Sequence, residues 1–435
     1  MHTRTFLLLV MLIVSINSCT TSKSPLFAKR SPHEKYGEGL RNAGLANTQL
    51  GNAWFAAAAK SITQPQVVAV PYKESGFFAA EKPAAFGYLF SAKRGEKIMV
   101  NINSIPLSGS LLFAELWQPA ITSGTPALLT TMDTLSRQLQ FVVKKDGPYL
   151  LRLQPELLHN IEYTITILTG PSLAFPVDRS GDPKIISEWG VARDGGARTH
   201  EGIDIGAKFR TPALAAANGM VTRVNENEIG GKVVFLNDPS SGNSIYYAHL
   251  DSQIARPGQA VRAGDVIGLV GNTGNARGTV PHLHFGIYTG SGAIAPQSFV
   301  EIKRMEPKPV TANMLHINKW LRTTAVASIF ESTSSRSALI TKTVSGDAVF
   351  ILAAADNWFK IQLPGGQQGY ISSNQVTGKI LRSQAVAADT KLLANPSPGA
   401  PSSNLIRKGV ITEIVGTYHN YYLVTHQNSL GWISK

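Results

Sequence analysis

A chain of 435 residues is too long for one hydrophobic core, so length excludes a single domain and points to about two to four. Its 41 Lys and Arg against 28 Asp and Glu give a formal charge of +13, which favours polyanionic surroundings: nucleic acid, anionic lipid or the acidic polymers of a cell envelope. A single cysteine excludes an intramolecular disulfide, and 39 Gly with 24 Pro favour turns and short strands over long helices.

At the N-terminus, Arg4 precedes an unbroken apolar run over 6–14, followed by Ser15, Ile16, Asn17, Ser18 and Cys19. The run is too short to span a bilayer but suits a signal-peptide core. Ile16-Asn17-Ser18-Cys19 resembles a bacterial lipobox, whose cysteine receives diacylglycerol, and Cys19 is the chain's only cysteine. Residues 1–18 are therefore expected to be a lipoprotein signal peptide. The mature protein is expected to be an exported envelope lipoprotein, tethered by its lipid at the outer membrane, since Thr20 does not suggest retention at the inner membrane. Export removes nucleic acid from the candidate polyanions. No other stretch reaches the roughly 18 apolar residues of a membrane span.

Residues 19–65 read as a tether and short helix. The stretch 20–35 is polar, basic and proline-punctuated, whereas 40–60 is alanine-rich, contains Trp54 and Phe55, and reads as a helix. Over 66–170 the period changes to two. Ile98, Val100 and Ile102 alternate with Met99, Asn101 and Asn103; Tyr163, Ile165 and Ile167 alternate with Glu162, Thr164 and Thr166. Further strands at 139–143 and 149–153 are separated by K-K-D-G-P turn chemistry. This pattern predicts a β-sandwich-like accessory domain, and no chemistry is evident in it.

Residues 171–305 carry the chemistry. His200 and Asp204 stand in T-H-E-G-I-D-I, His249 in Y-Y-A-H-L, and His282 and His284 in P-H-L-H-F, so four of the ten histidines gather here. Imidazoles with a carboxylate suit a catalytic zinc that keeps one position open. Leu283, Phe285 and Ile287 make P-H-L-H-F strand-like; at period two both imidazoles share a face while Leu283 enters the core. One ring can then bind metal while the other stands beside the attacking water. Gly202, Ile203, Ile205 and Gly206 argue against a helix at His200–Asp204, but residues four apart also share a face on an extended segment. Strands are predicted at 220–224, 232–236 and 244–248, which places His249 at a strand end. His2, His33, His159, His316, His419 and His426 read as ordinary surface or hydrogen-bonded residues.

After a linker at 303–311 and a short helix around 315–320, an internal repeat follows. Gly346, Trp358 and Gly369-Tyr370-Ile371 recur as Gly409, Tyr421 and Gly431-Trp432-Ile433, an offset of 62 to 63 residues. β-Branched strands at 348–352 and 410–415 lie between. The two copies, 322–378 and 388–435, resemble bacterial SH3-like barrels, the second being the more divergent.

The stretches 200–221 (H-E-G-I-D-I through A-N-G-M-V), 246–250 (Y-Y-A-H-L), 257–274 (P-G-Q-A-V-R-A-G-D through G-N-T-G) and 281–285 (P-H-L-H-F) resemble the LytM/lysostaphin-type zinc endopeptidases, which cleave peptidoglycan. The resemblance implies a LytM-type β-sheet peptidase domain at 171–305 within a mainly β, multidomain chain. It implies His200, Asp204 and His284 as zinc ligands, His249 and His282 as non-ligand catalytic histidines, and peptide cross-links or stem peptides of peptidoglycan as substrate. Which histidine activates water and which stabilises the oxyanion stays open. Glu201 reads as solvent-facing or behind the ligands, because the general-base role of H-E-x-x-H needs a histidine where Asp204 stands. Two departures, N-A-R-G-T-V before P-H-L-H and Phe209-Arg210 before T-P, put substrate preference in doubt. Two other readings compete: a catalytically silent scaffold or activator of wall hydrolases, and a structural lipoprotein with a structural zinc. Silent relatives lack one or more of the five residues, all present here, and a structural zinc normally has four protein ligands.

Overall fold

The structure, a computed structural model, describes residues 30–107, 109–120, 124–301 and 306–435. The expected signal peptide and the lipidation residue Cys19 lie outside the described residues. The fold is mainly β and built from several sheets.

The helical part begins earlier than its alanine-rich stretch suggests. Ser31 caps Pro32–Asn42 in a reciprocal capping box with Glu34. Gly44, at φ 72°, then breaks the path, and a second helix, Gln49–Thr63, starts at the Thr48 cap. The single helix expected over 40–60 is thus two. Both dock on the first sheet. Trp54 is buried, donates its indole N–H to the Pro155 carbonyl at 2.9 Å, and stacks on His33. His33 bonds Gln154 at 2.7 Å and is structural, as expected of an isolated histidine.

Residues 66–171 form two facing sheets around one core. Phe86–Ala92, Gly147–Pro155 and Leu112–Gln118 dominate one sheet; Tyr72–Phe78, Ile161–Pro171, Glu96–Ile105 and Gln138–Val142 make up the other. Ile98, Val100 and Ile102 are buried while Asn101 and Asn103 face solvent, as the period-two pattern requires.

The second sheet does not stop at its own domain. Tyr72–Phe78 pairs antiparallel with Ala348–Ala355 of the first C-terminal copy, with Ser75 opposite Ala354 and Gly76 opposite Ala353. One sheet of 11 strands therefore contains segments from both sides of residues 171–305. Where they meet, Glu74 is fully buried and accepts hydroxyl hydrogen bonds from Tyr72, Tyr88 and Tyr163, each at 2.7 Å. Tyr370 reaches the Tyr72 hydroxyl at 3.0 Å. Lys360 Nζ lies 3.6 Å from Glu74 and 3.8 Å from the centre of the Phe86 ring. Burial pulls the Lys360 ammonium down to about 8, against the opposing pull of Glu74, and pushes all four phenols well above their usual range.

The two C-terminal copies share their landmarks. Gly346 and Gly409 both take left-handed φ (89° and 83°) before a long strand, Ala348–Ala355 or Ile411–Tyr418, and each G-[YW]-I sits in the third strand of an antiparallel run. The copies pack on each other through Trp320 and Trp432, whose rings lie 5.6 Å apart. The helix expected around 315–320 is only a 3-10 turn, Met314–His316; Asn318 turns left-handed and Trp320 opens a strand. Among the described residues, no helix is long and apolar enough to cross a membrane.

Removing Lys360 leaves the buried Glu74 carboxyl without its cationic partner. Lys360→Ala is expected to destabilise the protein by about 3 kcal/mol or more, read by thermal unfolding, and adding Glu74→Gln should recover part of the loss.

Candidate metal centre

Within residues 171–305, Ile203–Gly206 pairs antiparallel with His282–Thr289, placing Asp204 directly opposite His284 and Ile205 opposite Leu283. Opposed residues in such a pair send their side chains to one face. Asp204 and His284 therefore meet in a groove, while Ile205 and Leu283 enter the core. Asn243–Gln253 pairs along the other side of His282–Thr289, with Ala248 opposite His284, and brings His249 to the same end. His200 reaches the pair from an extended segment, as the glycines on either side of Ile203-Asp204-Ile205 suggested. Gly202 is required for this approach, since a Cβ there would stand 2.7 Å from the His284 ring and from the Phe285 carbonyl oxygen.

His200 Nε2, Asp204 Oδ1 and His284 Nδ1 form a triangle 3.0 Å on each side. His200 Nδ1 lies 2.8 Å from the Glu188 carbonyl oxygen. A carbonyl only accepts, so Nδ1 carries a proton, and Nε2 is the nitrogen turned toward the triangle. Burial favours a neutral Asp204, but the facing His200 and His284 rings outweigh it and hold the carboxyl well below the usual range. Burial likewise resists protonation of His284. Electron-rich atoms at this spacing repel one another unless a cation lies among them, and the His284 environment disfavours a proton as that cation. The spacing is within a few tenths of an ångström of the roughly 3.3 Å between ligands of a tetrahedral zinc. These three residues fit a divalent metal.

Asp204 Oδ2 accepts from Arg193 at 2.6 Å, and Arg193 also donates to Ser187 Oγ at 2.8 Å. Arg193 thereby fixes the carboxylate and leaves Oδ1 for the metal. It comes from a short hairpin, Ala192–Arg193 with Arg198–Thr199. Sequence reasoning missed it, because nothing in A-R-D-G-G distinguishes this arginine from a solvated one.

His249 does not end a strand. It sits within Asn243–Gln253 at φ 60°, where the ladder with Gly231–Asp238 slips so that Lys232 faces Leu250 and Val234 faces Tyr247. This bulge turns the imidazole into the groove, at a strain of roughly 1–2 kcal/mol for a non-glycine residue. His249 Nδ1–H donates to the Thr273 carbonyl at 2.9 Å, and His282 Nδ1–H to the Val280 carbonyl at 2.8 Å. With Nδ1 so engaged, each ring has Nε2 as its remaining nitrogen. Burial, reinforced by His282 and His284, lowers His249 to about 4, so it is neutral at pH 7. The His249 and His282 rings lie 5.0 Å apart, and His249 is 5.9 Å from His284.

All five expected residues line one groove of about 1440 Å³. The unusual N-A-R-G-T-V stretch lines it too, through Asn275, Ala276, Thr279 and Val280, and supplies the acceptor that orients His282; Phe209 and Arg210 lie outside the lining. Glu201 is exposed and hydrogen-bonds Tyr288, whose phenol is pushed up to about 12 by burial first and Glu201 second. Gly202→Ala is expected to displace the His284 ring and weaken zinc binding at least tenfold, measured by metal titration, with an unchanged circular dichroism spectrum.

The segment that carries these residues is similar to known proteins. Residues 198–296 match the model of Peptidase family M23. The chain is 38% identical over 127 residues to an L-Ala--D-Glu endopeptidase of Bacillus subtilis (strain 168), covering 27% of this chain and 39% of that protein. It is 34% identical over 91 residues to the peptidoglycan DD-endopeptidase ShyC of Vibrio cholerae serotype O1, covering 21% and 20% respectively. The chain thus spans well under two thirds of these relatives. The catalytic domain of lysostaphin from Staphylococcus simulans aligns over 28% of this chain and 92% of its own length, at 27% identity and a TM-score of 0.25.

Proposed function

From a segment that matches the model of Peptidase family M23 and carries three residues that fit a divalent metal, we propose that the protein is a zinc-dependent endopeptidase that hydrolyses peptide cross-links or stem peptides of bacterial peptidoglycan. The observation that carries the proposal is the juxtaposition of three ligand atoms 3.0 Å apart with two further imidazoles that are not needed to hold the ion. His200, Asp204 and His284 would hold zinc, which supplies Lewis acidity toward the scissile carbonyl and makes water a competent nucleophile near neutral pH. The chain's own groups do the rest. Arg193 and Glu188 hold two of the ligands in orientation. His249 and His282 face the groove with their Nε2 atoms and can accept the attacking water's proton. Protonated, the same rings stabilise the oxyanion and return a proton to the leaving amine. The activities for which the relatives are named, an L-Ala--D-Glu endopeptidase and a peptidoglycan DD-endopeptidase, support a cell-wall peptide as substrate.

The remaining parts belong to the same proposal. Cys19, as the lipidated first residue of the mature protein, anchors it in the envelope, at the outer membrane. The C-terminal copies act as SH3-like modules that meet the wall, raising effective substrate concentration. The first copy is fixed to the N-terminal sheet and presents its outer face from a rigid mount.

His284→Ala or Asp204→Ala should lose stoichiometric zinc by metal analysis; retained zinc would reject the ligand set. His249→Ala should keep its zinc and lose most turnover on purified sacculi, a loss of about 100-fold or more. Treatment with a chelator should abolish hydrolysis while the fold persists. Cys19→Ser should move the protein from the membrane fraction to the soluble one.

A further inference from the structure

The wall of the groove beside His284 is a row of side chains in ring-to-ring contact. Tyr246 meets His284 edge-on at 5.8 Å, Phe235 lies 4.7 Å from Tyr246, and the Arg223 guanidinium lies 4.0 Å over the Phe235 ring. Arg223 and Phe235 are direct cross-strand partners, on Gly219–Asn227 and Gly231–Asp238. All four residues line the groove. Their charges have different commitments. Asp204 belongs to the metal triangle, and Arg193 is tied to Asp204. Arg223 has no carboxylate within ion-pair distance among the described residues, although Phe235 holds its plane in place.

A stacked guanidinium has already lost much of its rotamer freedom and keeps its in-plane N–H groups for a planar acceptor. Its natural partner is a carboxylate bound in a two-point fork. We propose that Arg223, braced by Phe235 and Tyr246, is a specificity-determining residue that binds a free carboxylate of the peptide substrate on the His284 side of the metal. The substrate class is a peptide with an ionised carboxylate near its scissile bond, rather than an uncharged peptide bridge. This assignment rests on the peptidase reading above.

The test uses the full-length, zinc-loaded protein with two probes: a purified cross-linked muropeptide and the same muropeptide with its free carboxylates converted to carboxamides. Equilibrium binding by calorimetry and hydrolysis by chromatography are both measured. The wild type should bind and cleave the acid form about tenfold better than the amide, the size of one charge-assisted hydrogen bond. In Arg223→Gln that preference should fall to about one. Arg223→Lys, which keeps charge but loses the planar fork, should fall between them. Arg262→Gln, at an exposed position outside the groove, should keep the full preference and so excludes a general effect of the basic surface. Equal binding of the two forms by wild type, binding of neither, or full preference in Arg223→Gln would each overturn the assignment. Absence of hydrolysis with the binding preference intact would instead count against the peptidase reading and leave Arg223 as the carboxylate site.

Discussion

The antiparallel register between Ile203–Gly206 and His282–Thr289 is the constraint on which the site depends. Because Asp204 lies opposite His284, a carboxylate and an imidazole are placed side by side by main-chain hydrogen bonds rather than by flexible loops. A slip of one residue in either strand would turn that strand's polar side chain, Asp204 or His284, into the hydrophobic core and bring its apolar neighbour, Ile205 or Leu283, out. Burial of Ile205, Leu283 and Phe285 therefore fixes the register as well as stabilising the sheet. The third corner, His200, is added at the point where Gly202 permits the close approach.

Around this sheet, the protein distributes precision and strain unevenly. The proposed ligands lie on or beside regular strands and are oriented by carbonyl and guanidinium partners. His249 is instead presented by a left-handed bulge, and His282 is oriented by the Val280 carbonyl next to its strand. His249 is thus supported by irregular backbone, whereas the proposed ligands Asp204 and His284, and His282 opposite Gly206, are held by ladder geometry. Such a division suits hydrolysis, where the metal must remain while protons move.

Much of the metal centre was legible from sequence because its information is local. H-x-x-x-D and H-x-H encode which residues share a face, and strand periodicity is short enough to read directly. The bulge at His249 was not legible: Y-Y-A-H-L looks like an ordinary strand end, and the slip arises from pairing with Gly231–Asp238. Arg193 was missed for a related reason, since its partner Asp204 is brought to it by folding. In the N-terminal domain, alternation at Ile98–Val100–Ile102 revealed the strand but not its neighbours. Nothing local to Tyr72–Phe78 or to Ala348–Ala355 announces that they pair, and Glu74 and Lys360 are each unremarkable until the network places them together.

That shared sheet changes what a backbone break would do. The polypeptide leaves the N-terminal domain, builds the sheet that carries His200, Asp204 and His284, and comes back to hydrogen-bond with the strand set it left behind. Its two arms are thus clasped without a covalent link. A proteolytic nick on the return path after the peptidase would divide the chain yet leave its fragments associated, held by the ladder and the buried tyrosine-carboxylate cluster, so that integrity of the assembly need not follow integrity of the chain.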